Sequence, residues 1–341
     1  MPTIKDVAKE ADVSIATVSY VLNESGAVSE ATRQRVLQTV TRLGYRPSII
    51  AQNLQARESR IIGYSWRPVP PDHFNPILEK FMLGMAEAAA RHDYHVLVFP
   101  TTELADEVTP YREMVESGRV DGFVLSNTNL NDPRVRYLLD EGFPFVAFGR
   151  SNPEWEFPWV DVDGADGVGQ AVSHLLDLGH RRIACLAWPE HSLTGQYRLS
   201  GYHQAMANGG LQVEADWIIR AENLYYHAYE ATKTWLAMPP ERRPTAVVAL
   251  TDLMAISVIN AATAANLKVG VDLAVVGFDD APMAGYLRPS LTSLRQPIVD
   301  IGERLVTMLI DLVRGGMPEP AQVLLKPRLI VRDSTALSAQ F

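Results

Sequence analysis

The sequence predicts an all-α headpiece followed by an α/β body of two doubly wound lobes. Before residue 45, apolar residues recur at helical spacing between good capping residues. From Ile61 onward, short apolar runs alternate with longer helical stretches, which is the pattern of parallel sheets covered by helices. At 341 residues with 47% hydrophobic content, the chain can bury more than one core.

The first helix is expected from Ile4 to Ala11, with Val7, Ala8 and Ala11 on one face. Asp12-Val13-Ser14 breaks the pattern, and Ser14 is a good N-cap for a second helix from Ile15 to about Leu22. Val18, Val21 and Leu22 form its apolar face, which leaves Ile15, Ala16, Ser19 and Tyr20 on another. Ser29 can cap a third helix through Leu43, with Val36, Leu37, Val40 and Leu43 inward and Gly44 as its stop. "YRPSIIAQNLQARESR" follows, where Pro47 and Ser48 can start a helix too short to persist alone in water. This linker is expected to fold only against a partner.

In the body, the candidate strands are "IIGYSW", "YHVLVFP", "DGFVLS", "FPFVAFG", "WVDVD", "RRIACLAW", "TAVVAL" and "LAVVGF". Between many of them lie helical patterns such as "ILEKFMLGMAEAAARH" and "GVGQAVSHLLDLGH". Short-period repeats and low-complexity segments are absent from the sequence.

The net charge of −9 argues against wholesale coating of nucleic acid, but it is unevenly spread. Residues 1–60 carry +2 and the remainder −11. No apolar run is long enough to span a membrane, and Lys5, Asp6, Lys9 and Glu10 occupy the place where a signal peptide needs an apolar stretch. The expectation is a cytoplasmic protein without a membrane partner. Cys185 is the single cysteine, which excludes an internal disulfide and a multi-cysteine zinc site; its apolar run predicts burial. "GADGVG" is not the spacing of a pyrophosphate turn, and the histidines show neither HxxxH nor HExxH spacing. With no nucleophile elbow or P-loop, neither a cofactor, a metal nor catalysis is expected.

The opening helices suit a helix-turn-helix. A helix in the major groove would present Ile15, Ala16, Ser19 and Tyr20 to base edges, while the hydroxyls of Thr3, Ser14, Thr17 and Ser19 meet phosphates. The alternative is a small helical cap packed on the body. "TIKDVAKEADVSIATVSYVLN", "VSEATRQRVLQTVTRLGYRPS" and "IIAQNL" resemble the headpiece and hinge of the lactose-repressor (LacI/GalR) family of transcription regulators. "RVDGFVL", "LGHRRIACL", "RLSGYHQAM", "RPTAVVALTDLMA", "VVGFDDAPMAGYLRPSLTSLRQP" and "PRLIVRDST" follow in that family's order, so the resemblance covers nearly the whole chain. The body also resembles periplasmic sugar-binding proteins.

The resemblance implies a helix-turn-helix headpiece at 1–46, a hinge at 47–60, and a periplasmic-binding-protein-like body. Its N-terminal lobe would comprise 61–161 and 293–325, and its C-terminal lobe 162–292 and 326–341. Ile15, Ala16 and Tyr20 match base-reading positions, Leu54 matches a leucine wedged into the minor groove, and Asn23 and Ser29 join the DNA-contact set. Family members often have arginine where Tyr20 stands, so bidentate readout is weaker here.

For the effector, Arg198 and Asp279 match contact positions, and their chemistry suits sugar hydroxyls. Phe74, Thr194, Thr251 and Asp252 are further lining candidates, although Asp252 can equally cap the helix after it. Where several relatives have an aspartate, this chain has Gly149 followed by Arg150. Trp66, Trp155, Trp188, Tyr225 and Tyr226 suit an oligosaccharide or glucoside. The resemblance therefore implies a repressor that binds a pseudo-palindromic operator as a dimer, the tail "ALSAQF" being too short for a coiled coil. Its effector would be a small molecule, a carbohydrate by the family's precedent. The rivals are a sugar-binding module without regulatory DNA function, a regulator answering to a purine or another non-sugar effector, and an α/β enzyme with a small cap.

Overall fold

The computed structural model describes residues 2–23, 25–26, 28–45, 58–66, 75–101 and 106–335. The chain divides into two compact units, Met1–Arg60 and Ile61–Phe341. Most of the expected hinge, including Leu54, lies outside the described residues, as does Phe74.

The first unit contains α1 (Ile4–Glu10), α2 (Ile15–Leu22) and α3 (Glu30–Leu43). Each begins at a hydroxyl. Thr3 and Asp6 form a reciprocal capping box, Ser14 Oγ accepts from Thr17 N at 3.0 Å, and Ser29 Oγ accepts from Thr32 N at 3.3 Å. Gly44 ends α3 at φ 60°, the left-handed conformation that glycine adopts without a Cβ penalty. Val7, Ala8, Ala11, Val18, Val21 and Val36 make a separate small core. Leu37, expected inward, is 39% exposed, and Thr39 is buried instead with its hydroxyl bonded to Arg35 O. The helical repeat carries 37 round to the outside, so the inward stripe is Val36, Thr39, Val40 and Leu43.

The second unit holds two six-stranded sheets. The first is assembled from β1 (Ile61–Trp66), β2 (His95–Pro100), β3 (Gly122–Leu125), β4 (Phe145–Phe148), β5 (Trp159–Val162) and β11 (Gln322–Leu325), in the order β11-β5-β4-β3-β1-β2. All its pairings are parallel. The second comprises β6 (Ile183–Ala187), β7 (Ile218–Arg220), β8 (Ala246–Ala249), β9 (Ala274–Asp279), β10 (Thr292–Arg295) and β12 (Arg328–Ile330), in the order β12-β10-β9-β8-β6-β7. Only β12 runs antiparallel to its neighbour.

Helices α4 (Pro76–Arg91), α5 (Thr109–Glu116), α6 (Pro133–Asp140) and α12 (Ile298–Val313) belong with the first sheet. Helices α7 (Gly164–Asp177), α8 (Leu193–Asn208), α9 (Tyr225–Leu236), α10 (Asp252–Ala264) and α11 (Pro282–Tyr286) belong with the second. The chain crosses between lobes after β5, after β10 and between β11 and β12. This corrects two boundaries: Val162, expected in the second lobe, ends β5 and pairs with Leu325 in the first sheet, and residues 293–295, expected in the first lobe, lie in β10, where Thr292–Arg295 pair with Val276–Asp279. Ser293 is fully buried there and donates to Asp252, so it is part of the second sheet's interior.

Two helix pairs set the close packing. Helix α4 lies against α12, and a Cβ on Gly84 would come within 2.4 Å of Val299 O. Helix α7 lies against α8, where a Cβ on Gly201 would come within 2.1 Å of Ala165 O. Gly164 and Gly167, in the "GADGVG" stretch, admit Arg198 and Pro327 respectively, so close packing accounts for these glycines. Cys185 is fully buried and its thiol is pushed up to about 12 by that burial. Among the described residues no helix is long and apolar enough to cross a membrane.

Candidate functional site

Two sites can be built from the residues upward, one on each unit. On the first, α2 buries Val18 and Val21 and turns Ile15, Ala16 and Tyr20 outward. Burying an isoleucine contributes ~2 kcal/mol, yet Ile15 remains 44% exposed and Tyr20 49%. The headpiece core therefore gains little from either side chain. The Tyr20 ring rests on Gly26, where a Cβ would come within 3.2 Å of its Cγ. Ser14 Oγ also pairs with Thr17 Oγ1 at 2.9 Å, and Asn23 Nδ2 donates to Ser19 Oγ at 3.3 Å. Thr3, Ser14, Asn23 and Ser29 are exposed, while Thr17 and Ser19 are half-buried. The hydroxyls thus fix helix ends and stay at the surface, where one oxygen can serve both a cap and an outside partner.

On the second unit, the candidate residues gather outside the carboxyl ends of the strands, the usual ligand position in open α/β sheets. Arg198 sits on α8, 5% exposed. Its guanidinium carbon lies 3.6 Å from the centroid of the Phe278 ring and 5.1 Å from that of Trp188, and one Nη donates to Leu250 O. Its Nε is buried without an acceptor. Burial pulls its pKa down, opposed by the charges of Asp279, Asp161 and Asp252.

Asp279 ends β9 and Asp280 follows it, with φ of 128° and 47°. Positive φ is costly for residues with a Cβ and is held only where the surroundings enforce it. The enforcement is visible in the neighbours. Asp280 is buried and bridges Arg295 Nε at 2.5 Å and Arg332 Nη2 at 2.6 Å, while its own N–H donates to Ser293 Oγ. Asp252 Oδ2 accepts from Ala281 N at 2.7 Å and its Oδ1 from Ser293 Oγ at 2.5 Å. The Asp279 side chain accepts at Oδ1 from Gln296 Nε2 at 2.6 Å.

The two other candidates at the start of α10 are both engaged with protein partners. Thr251 caps the helix by accepting from Met254 N, and its hydroxyl donates to Asn223 Oδ1 at 2.7 Å. Asp252 is 3% exposed, with Oδ2 engaged by Ala281 N of the β9–α11 turn and Oδ1 by Ser293 Oγ of β10, and the cap of α10 is Thr251 in its place. Thr194 is half-buried in the first turn of α8.

From the first lobe comes a pair that sequence reasoning did not select. Arg150 Nε donates to Asp161 Oδ2 at 2.7 Å, and the Arg150 guanidinium carbon lies 3.5 Å from the Tyr197 ring centroid on α8. This stacking joins the lobes. Asp161 is buried, with its Oδ1 accepting from Val162 N, and burial raises its pKa against the pull of Arg150. The signal available in the sequence was the Gly149-Arg150 step itself. Trp66, Trp155 and Trp188 are each half-buried, whereas Tyr226 is 76% exposed.

Burial raises the Asp279 pKa to about 6 despite the opposing Arg198 charge. An acid whose folded value is raised binds more protons in the folded than in the unfolded state across the interval. Its contribution to stability therefore falls as pH rises from the ordinary 3.8 to about 6, and the cost is complete above that. Asp279→Asn is expected to flatten the dependence of melting temperature on pH in this window and to raise the melting temperature at neutral pH. Thermal unfolding of both proteins across pH 4 to 7 checks it; parallel curves would refute the assignment. Among the described residues no cluster of three or more histidine, cysteine or acidic side chains could hold a metal.

Comparison with known proteins adds the following. Residues 3–48 match the model of bacterial regulatory proteins, lacI family, and residues 172–335 match that of a periplasmic binding protein-like domain. The HTH-type transcriptional repressor CytR of Escherichia coli (strain K12) is 32% identical over 334 residues, covering 98% of this chain and 96% of CytR. A crystal structure of a LacI-family regulatory protein from Chloroflexus aggregans is 49% identical with a TM-score of 0.78, covering 81% of this chain and 98% of that one. The complex of the transcriptional regulator CelR with cellobiose is 30% identical, TM-score 0.75, covering 98% of this chain and all (100%) of that one. The lac repressor dimer bound to operator and the anti-inducer ONPF is 26% identical, TM-score 0.82, covering 98% and 99%.

Proposed function

The chain belongs to the lacI family of bacterial regulatory proteins, and on that premise we propose that it is a ligand-responsive repressor that binds a pseudo-palindromic operator as a dimer and takes a carbohydrate effector between its lobes. Family membership makes it a DNA-binding transcriptional regulator; the mechanism and the effector class are the proposal. The outward face of α2, with Ile15, Ala16 and Tyr20, supplies the groove contacts. Ile15 and Ala16 pack on thymine methyls, and the Tyr20 hydroxyl offers one hydrogen bond. Thr3, Ser14, Thr17, Ser19, Asn23 and Ser29 hold the phosphates around it.

The observation that carries the effector reading is Asp279, held at positive φ at the strand end and within reach of the charge of Arg198. A carboxylate accepts from sugar hydroxyls and a planar guanidinium donates to them. The lac repressor's operator-bound dimer and CelR's cellobiose complex lend the dimer and the sugar class by likeness. A ligand that binds one lobe arrangement better shifts the lobes toward it. In the proposed mechanism, residues 47–60 respond by gaining or losing helical order, with Leu54 from each subunit wedged into the minor groove.

Two measurements test this reading. A thermal-shift screen of mono- and disaccharides, glucosides, nucleosides and purines finds the effector, since a ligand bound to the folded state raises the melting temperature. Fluorescence anisotropy on selected operator DNA, with and without the hit, then reads the coupling. A sugar that changes operator affinity supports the proposal, and a purine or nucleoside that does so in its place overturns the carbohydrate class. Leu54→Ala is expected to weaken operator binding by about tenfold or more while ligand affinity is unchanged. Equal operator affinity in that variant removes Leu54 from the DNA.

A further inference from the structure

Around the cleft, several side chains hold hydrogen-bond donors that meet no protein acceptor among the described residues. In the second lobe, Arg198 Nε and Trp188 Nε1 are buried without an acceptor. From the first lobe, Arg150 spends only Nε on Asp161, and its two Nη groups meet no protein acceptor among the described residues. Lys80, half-buried on α4, makes no hydrogen bond or ion pair among the described residues, and its charge reaches Asp279. Against these donors, both oxygens of Asp161 are occupied, by Arg150 Nε and Val162 N. One oxygen of Asp279 is taken by Gln296, and Asp252 is spent on Ala281 and Ser293.

The cations at the cleft are Arg150, paired with Asp161, Arg198, which experiences the charges of Asp279, Asp161 and Asp252, and Lys80, whose charge reaches Asp279. A neutral sugar brings a proton with every hydroxyl and needs acceptors as well as donors, whereas a carboxylate or phosphate accepts only. A cleft with forked guanidinium donors and an indole N–H left without protein acceptors is matched to the second kind of group.

Resting on the carbohydrate reading above, we infer that the effector is an acidic carbohydrate derivative, whose carboxylate or phosphate is gripped by Arg150 across the lobe boundary while its hydroxyls reach Asp279. Arg150 is then a specificity-determining residue. Its ring contact with Tyr197 holds the guanidinium plane in place, and its bond to Asp161 fixes which edge faces the ligand. Lys80 contributes charge from the facing helix.

Isothermal titration of the full chain with D-glucuronate and D-glucose 6-phosphate, beside D-glucose and cellobiose, tests the inference. At least one acidic compound is expected to bind about tenfold or more tightly than its neutral counterpart, with an affinity that falls on adding salt. Arg150→Gln leaves Asp161 buried without its cation, so the double variant Arg150→Gln/Asp161→Asn is measured too, with thermal unfolding as a check on folding. Loss of the acidic preference in the folded double variant supports the assignment. Binding of neutral sugars alone, or an acidic preference that survives in the double variant, overturns it and leaves the carbohydrate reading standing. Silence of all four compounds beside binding of a nucleoside or purine overturns both.

Discussion

Arg198→Ala is expected to lower effector affinity by about 100-fold or more while the unliganded protein keeps its operator affinity. The size of the effect follows from how many groups share this one cation. Arg198 is enclosed by Phe278, Trp188 and the backbone of Gly164, and one Nη supports Leu250 O. In the proposed site, truncation removes a donor to the ligand, and it removes the positive charge that both Asp279 and Asp161 experience. The Asp279 carboxyl then gives up its proton less readily, so the ligand loses two partners at once. Arg198→Lys is expected to recover only a small part, since an ammonium cannot reproduce the planar stack on Phe278. Titration calorimetry on the variants, with anisotropy on operator DNA, separates the two activities. Wild-type effector affinity in Arg198→Ala would take Arg198 out of the site.

Gly201→Val is expected to be the most damaging single change in the body, costing on the order of 3 kcal/mol or more. A Cβ at this position would sit 2.1 Å from Ala165 O and 2.6 Å from Ala165 Cα, both backbone atoms of the facing helix. No rotamer relieves a clash with backbone, so α7 and α8 must separate along their length. Arg198 lies one turn before Gly201 on the same helix, so separation also withdraws it from Phe278. Gly169→Ala provides the contrast. It is also in α7, has nothing within 4 Å of the added Cβ, and is expected to leave stability unchanged or raise it by about 0.5–1 kcal/mol. Thermal unfolding of both variants checks the pair, and equal melting temperatures would refute the packing argument.

Much of the headpiece was legible because its signals are local. Thr3, Ser14 and Ser29 cap the helices they precede, and Gly44 ends α3 in the left-handed conformation. Leu37 was misplaced because Thr39, a polar residue, takes the inward position and satisfies its hydroxyl on the turn before. In the body the buried apolar strands were legible even at four residues, as in β3 and β8, whereas β7, β11 and β12 are as short and only partly buried, and β10 carries Thr292, Ser293 and Arg295 around a single leucine. Nothing local in "LTSLRQP" says which of two sheets it joins; only pairing with β9 decides it.

The candidate site divides in the same way. Arg198 and Asp279 were found through motif, but the duty of Asp252 depends on a turn 29 residues on, where Ala281 N needs an acceptor. The Arg150–Asp161 pair depends on the parallel register that sets Phe148 beside Val160. The backbone strain at Asp279 and Asp280 is likewise a tertiary product, since two arginines and a buried carboxylate enforce it from outside the segment.

The threefold crossing between lobes has a bearing on how the molecule comes into being. The first sheet is finished only when Gln322–Leu325 pairs with β5, and α4 waits for Ile298–Val313 as its main helical neighbour. Such long-range pairings make folding slow and leave apolar surface exposed while the ribosome is still at work. The headpiece, by contrast, has all of its own small core by Tyr45. During synthesis the headpiece is therefore complete some 280 residues before the first sheet of the body. A nascent or truncated chain would carry a finished headpiece on an unfinished body.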